Sequence, residues 1–268
     1  MGWLPLPRQE YQRENENTLS FLAALQFLTS IPVSLKRQLS PAQLGRATTY
    51  FPLVGFIIGL VLAFLNWLLN YILPPAVVNA LLIVALVILT GALHLDGFAD
   101  TCDGMAGHKP VEERWKVMHD SRTGAFGVVG VVLLLLLKYV SLNSIPTEMM
   151  TSVLIFMPVV SRWAMVYAIF TYPYARPSGL GTAYKAATRW PQFTIATVIT
   201  FAIAVVLLPL FSITGILLIL GVFIIITTFS FYLKHKFAGL TGDTYGAINE
   251  VAEVVTLIIA IIIFICYG

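Results

Sequence analysis

The sequence predicts an all-α fold, a polytopic integral membrane bundle of about seven transmembrane helices with a short or interfacial helix before them. Composition carries the first part of that expectation: 58% of the 268 residues are hydrophobic and 11% are charged, against roughly 45–50% and about 25% in an ordinary soluble domain. The mean hydropathy is +0.87, so a water-soluble fold would have to hide more apolar surface than its few charged side chains can cover. Third, the apolar residues gather in uncharged runs near the length that crosses a bilayer. A soluble, disordered or fibrous protein is excluded.

The elements follow in order. Leu19 to Leu35 is a shorter apolar stretch broken by Pro32, read as an interfacial helix ahead of a short span. Seven runs come next, at about 48–72, 76–95, 125–142, 151–172, 192–208, 210–233 and 251–267, with Pro209 dividing the fifth from the sixth. No internal repeat, low-complexity tract or soluble linker interrupts them, which makes residues 1–268 one membrane domain. The polar opening from Arg8 to Asn17 precedes no small-residue cleavage pattern and is expected to be retained. Cys102 and Cys266 are too few and too far apart for a disulfide framework or a zinc site.

Each pair of crossings returns the chain to the side it left, so the connections after spans two, four and six share a side with the segment before span one. That side carries Lys36, Arg37, Arg46, Lys109, Arg114, Lys116, Arg122, Arg176, Lys185, Arg189, Lys234 and Lys236, while the other has only Lys138, near a span end. The positive-inside rule makes the charged side cytoplasmic and the protein a multi-pass component of the inner membrane. Of 13 Asp and Glu, only Glu148 falls in an outer loop. The loops expected to carry chemistry, about 96–124, 173–191 and 234–250, therefore face the cytoplasm. The net charge of +3 is too small for a nucleic-acid surface, and no nucleic acid is expected as a partner.

Acids collect at the end of span two. Asp96, Asp100 and Asp103 are spaced i, i+4, i+7, within an arc of about 60° on one helical face. Like charges so placed destabilise a helix, and no Lys or Arg is interleaved with them. A divalent cation reverses the sign of that repulsion, and an all-carboxylate set suits Mg²⁺ rather than zinc. Asp120 and Arg122 stand just before span three, where the carboxylate can join the same ligand set and the guanidinium can hold phosphate bidentately. Glu112, Glu113 and Lys116 read as solvated helix surface.

The loop before the last span, Gly239 to Glu253, combines Gly239, Gly242 and Gly246 with Asp243, Asn249, Glu250 and Glu253. Its glycines permit a tight loop with exposed backbone, and its acids are either first-turn residues favoured by the helix dipole or part of the site. Arg162 lies about ten residues into span four, at a depth that costs at least roughly 2.5 kcal/mol unless it is partnered. It is expected to face either a phosphate or carboxylate ligand or a structural ion pair. Arg176, in a glycine-bearing segment after span four, is a further anion contact. His94 and His119 read as hydrogen-bonding bystanders ahead of general bases, and Gly55 and Gly59 as a helix-packing GxxxG.

Phosphate-loop, dinucleotide, zinc-protease and serine-hydrolase motifs are all absent from this sequence. Cation-dependent chemistry on a phosphorylated substrate remains. Three segments in order, His94-Leu-Asp-Gly-Phe-Ala-Asp-Thr-Cys-Asp-Gly104, Asp120-Ser-Arg-Thr-Gly-Ala-Phe-Gly127 and Gly239-Leu-Thr-Gly-Asp-Thr-Tyr-Gly-Ala247, with Phe27-Leu-Thr29 and Pro52-Leu-Val-Gly55 before them, resemble the cobalamin synthase (adenosylcobinamide-GDP ribazoletransferase) family. Cys102 stands where a small residue such as Ala is expected.

The resemblance implies transfer of the cobinamide-phosphate part of adenosylcobinamide-GDP to the 5′-oxygen of α-ribazole or its 5′-phosphate, with release of GMP and a requirement for Mg²⁺. In that scheme Asp96, Asp100, Asp103 and Asp120 hold the metal, Arg122, Arg176, Arg162 and Gly242 contact substrate, and Asp243 or Glu250 handles the proton of the attacking hydroxyl, with Arg122 also catalytic. Asp100-x-x-Asp103-Gly104 is also faintly similar to the CDP-alcohol phosphotransferases, which serves as a mechanistic analogy alone. A transporter is the competing expectation, since intramembrane Arg and clustered acids also mark ion paths, but here the acids crowd one face. A scaffold would need no convergent acids. A homo-oligomer is compatible with the sequence.

Overall fold

The computed structural model describes residues 8–33, 39–176, 180–207 and 213–267, so Lys36, Arg37 and Pro209 lie outside the described residues. Within them run α1 (Arg8–Leu28), α2 (Pro41–Ala47), α3 (Phe51–Leu69), α4 (Pro75–Thr90), α5 (Leu93–Met105), α6 (Val111–Met118), α7 (Ala125–Ser144), α8 (Thr147–Thr171), α9 (Leu180–Ala187), α10 (Trp190–Leu207), α11 (Ile213–Phe237) and α12 (Gly242–Tyr267). Six helices are long and apolar enough to cross a membrane, the first of them α3 continued backwards through a 3₁₀ turn to Pro41, and the bent pair α4 and α5 makes a seventh if counted as one span. The protein is a polytopic all-α membrane bundle.

α8 is the axis of the bundle: its most apolar window is 83% buried, against 11% for α10, whose side chains face outward. α3 packs along α8 because Gly55 and Gly59 leave room for it. A Cβ on Gly59 would sit 2.6 Å from the Ile155 Cα, and one on Gly55 would collide with the Pro158 carbonyl. α1 is not long and apolar enough to cross; its apolar end folds back, where Phe27 packs on Phe51 and on Tyr184, the latter at 5.0 Å between ring centres.

Span two departs from its expected course. The sequence predicts one helix running in line into the acid face, whereas the chain bends by 92° between α4 and α5. Gly91 and Ala92 take left-handed conformations there, with φ of +59° and +57°. The carbonyls freed at the end of α4 are not left bare: Ser30 donates its amide to Leu89 (2.7 Å) and its hydroxyl to Ile88 (2.6 Å). α5 then lies against α12 and α7. α12 also begins earlier than about residue 251, at Gly242, and α11 runs on to Phe237. The polar first turns of α12 are helical because neighbouring helices bury them, which a hydropathy window does not register.

Candidate active site

α5 and α12 cross at contact distance because glycine removes the side chains between them. A Cβ on Gly97 would meet the Asp243 carbonyl oxygen at 2.8 Å, and one on Gly246 the His94 carbonyl oxygen at 3.0 Å. This crossing puts Asp96, near the start of α5, and Asp243, in the first turn of α12, on the lining of one cavity. α12 opens with a reciprocal cap: the Thr244 amide donates to the Thr241 hydroxyl (3.3 Å) and the Thr241 amide to the Thr244 hydroxyl (2.7 Å). Asp243 follows at the positive end of the helix dipole.

Arg176 reaches this crossing because two loops are stitched together. A short parallel bridge joins Tyr174 to Leu240, with the Ala175 amide donating to Leu240 (2.8 Å) and the Leu240 amide to Pro173 (2.9 Å). Gly239, at φ +141°, allows it, since a Cβ there would lie 2.9 Å from the Ala175 Cα. The Arg176 guanidinium then stands 3.2 Å from Asp243. Asp96 and Asp100 make no hydrogen bond or ion pair among the described residues. Asp100 feels the charges of Asp96, Asp243 and Asp103, with Arg176 opposing them.

Asp103 shares the acid face but has other work. α7 begins without a side-chain cap of its own, and the buried Asp103 carboxylate supplies one from α5, accepting from the Gly124 amide at 2.7 Å and the Gly127 amide at 2.8 Å. The far end of α5 is closed by Arg114, which donates to the carbonyls of Gly104 (2.7 Å), Gly107 (3.0 Å) and Lys109 (2.9 Å). Asp120 is engaged at the surface by Arg122, which grips both carboxylate oxygens at 3.0 and 2.8 Å. Those hydrogen bonds hold the Asp120 carboxyl down to about 2, so it is charged at neutral pH.

The remaining candidates separate from this group. Glu250 is not in a cytoplasmic loop: it lies inside α12, buried, and accepts from Lys138 at 2.6 Å. Lys138 in turn is not a residue of the outer side; it is buried within α7 and also donates to Glu253 at 2.6 Å. Arg162 completes the network as the partner of Glu253, which realises the ion-pair alternative. Gly242 borders the cavity with nothing within 4 Å of a Cβ built there. Among the described residues no three of His, Cys, Asp and Glu stand close enough to hold a metal by themselves.

Sequence reasoning missed two features. His94 is buried with neither ring nitrogen hydrogen-bonded, so it is no hydrogen-bonding bystander, and the Tyr245 hydroxyl beside it is equally unpartnered. Both belong to the quoted motifs, but only packing reveals that they line a cavity. Lys138 was masked by the apolar run around it.

Fold and site together define a multi-pass helical membrane protein with a pocket bearing the carboxylates of Asp96 and Asp243 where two helices cross. Comparison with known families names it further. The chain belongs to the CobS family, cobalamin-5-phosphate synthase, whose model matches residues 20–261. It is 39% identical over 237 residues to the adenosylcobinamide-GDP ribazoletransferase of Geotalea daltonii, covering 88% of this chain and 94% of that relative. The enzyme of the same name from Thermosynechococcus vestitus is 37% identical over 245 residues, 89% of this chain and 94% of its own length; that from Roseiflexus sp. is 35% identical, covering 87% and 86%. No solved structure matches.

Proposed function

We propose that this protein is an Mg²⁺-dependent adenosylcobinamide-GDP ribazoletransferase, multi-pass in the inner membrane with its site towards the cytoplasm. It moves the cobinamide-phosphate part of adenosylcobinamide-GDP to a free ribose hydroxyl of α-ribazole or α-ribazole 5′-phosphate and releases GMP; the 5′-oxygen cannot be that nucleophile in the phosphorylated acceptor, where it is already esterified and has no proton to give. The observation that carries this is the α5–α12 crossing, where the uncommitted carboxylates of Asp96 and Asp100 face Asp243 and its partner Arg176.

A free ribose hydroxyl of the acceptor attacks the phosphorus that bears cobinamide; as that P–O bond forms, the bond to the GMP phosphate breaks, and GMP departs with the electron pair. Asp243 takes or orients the hydroxyl proton. It is better placed than Glu250, which is committed to Lys138 and lies about 10 Å further along the helix. Arg176 and Arg122 hold phosphate oxygens, Arg122 by exchanging Asp120 for substrate.

The donor set fits Mg²⁺, which is usually held by one or two carboxylates plus substrate phosphates rather than by an all-protein cage. Asp96 and Asp100 would supply those carboxylates, while Asp103 positions the start of α7 and Asp120 stands in reserve on its loop. When bound, the metal neutralises charge on the diphosphate and stabilises the leaving phosphate. Arg162 pairs with Glu253, so its burial has a structural account that needs no transported ion.

The test is GMP release by the detergent-solubilised protein given adenosylcobinamide-GDP and α-ribazole, with and without Mg²⁺, for wild type, Asp96→Asn and Asp100→Asn. Release is expected only with the metal and is expected to fall by about 100-fold or more in each variant. Wild-type rates in both variants would sink the assignment. No release by well-folded wild type would redirect attention to a flux assay.

A further inference from the structure

We propose that the cavity flanking the α5–α12 crossing is the seat of the acceptor's heterocyclic base, with Tyr245 its hydrogen-bond donor; this rests on the transferase activity above. The cavity holds about 190 Å³ and is lined by residues of α1, α5, α8, α9 and α12, Asp96 and Asp243 among them. Its walls are flat or aliphatic, supplied by Phe27, Met165, Ile169, Tyr184 and Tyr245, with His94 the one imidazole. Such a lining suits an aromatic ring and rejects sugars and phosphates, whose hydroxyls and charges would lose water without replacement.

Two of the residues that line it carry polar groups, and neither group has a partner. The Tyr245 hydroxyl and both His94 nitrogens are shut from solvent without a hydrogen bond, in residues only 3% and 1% exposed. Buried donors are seldom left so unless something else arrives to satisfy them. A benzimidazole riboside offers what is missing: a flat apolar bicycle with one unsubstituted ring nitrogen to accept from Tyr245. Guanine, the base of the donor, presents a polar edge with several donors and acceptors, more than these two groups can satisfy.

Asp96 and Asp243, which also line the cavity, can accept hydrogen bonds from the hydroxyls of a ribose. A base seated against the apolar walls leaves the ribose, with its attacking hydroxyl, beside Asp243.

The experiment uses the full chain in detergent. Binding of α-ribazole is measured by equilibrium dialysis without donor, and KM for each substrate by GMP release, in wild type, Tyr245→Phe and Met165→Phe. Tyr245→Phe keeps the ring and its packing and is expected to raise the acceptor Kd and KM by about tenfold, with the donor KM changed by less than about twofold. Met165→Phe fills the cavity and is expected to weaken acceptor binding at least as much; if it fails to fold, Tyr245→Phe decides alone. Wild-type acceptor affinity in a folded Tyr245→Phe, or a rise in donor KM alone, overturns the proposal. Wild type that binds α-ribazole yet releases no GMP would refute the transferase activity while the dialysis of the variants still judges the cavity.

Discussion

Lys138, Glu250, Glu253 and Arg162 set two cations against two anions inside the bundle, all of them buried. A lone ion at that depth is costly, and pairing offsets that cost here, although Nε and Nη2 of Arg162 are buried without a partner. Glu253 is the hub: it accepts from Lys138 at 2.6 Å, from Arg162, and from Ser161 and Asn249 at 3.3 Å each. Glu253→Gln leaves both cations to share Glu250, and is expected to destabilise the protein by about 3–5 kcal/mol, read as a fall in thermal midpoint in detergent. Lys138→Met combined with Glu250→Gln removes one cation and one anion together and should cost less than Glu253→Gln. Equal midpoints for Glu253→Gln and wild type would mean that the network bears no weight.

Helix crossings made by glycine do the positioning. Gly97 and Gly246 bring α5 onto α12, and the site consists of what that contact brings together. Gly97→Ala presses a methyl against the backbone of Asp243, 2.8 Å away, which cannot give as a flexible side chain can. The expected loss is about 1–3 kcal/mol, accompanied by reduced GMP release, since Asp96 and Asp243 move apart. Gly242→Ala is the contrast: its Cβ meets nothing within 4 Å, so the thermal midpoint should match wild type. Thermal scans of the two variants side by side check this. An undisturbed Gly97→Ala would show that the crossing tolerates separation.

Cation distribution across the bundle sets which end faces the cytoplasm in the proposed orientation. Ser121, in the loop before α7, and Asn70, after α3, are both exposed and separated by membrane under that topology. With the native cysteines replaced, Ser121→Cys should react with a membrane-impermeant maleimide only in inside-out vesicles and Asn70→Cys only in right-side-out vesicles. Labelling with the opposite sidedness would invert the topology and put the acids outside.

Residue types and their spacing determined that this chain is a polytopic helical membrane protein with about seven candidate spans, and that most of its acids lie in the polar segments between them. Hydrophobicity and charge are local properties, and the bilayer imposes one length on every span, so these features survive without coordinates. Asp96, Asp100, Asp103 and Asp120 were legible as one acid set, and Asp243 and Arg176 as candidates in separate segments, because all of them sit in polar text between apolar runs. Tertiary structure divided the acids by role. Asp103 became a cap for α7, Asp120 a partner for Arg122, and Glu250 one half of a buried ion pair. These outcomes depend on which helix end or cation lies opposite, a relation between residues as far apart as Lys138 and Glu250 that no window along the chain contains. The cavity beside Tyr245 and His94 is of the same kind, since an unpartnered hydroxyl is a property of its surroundings.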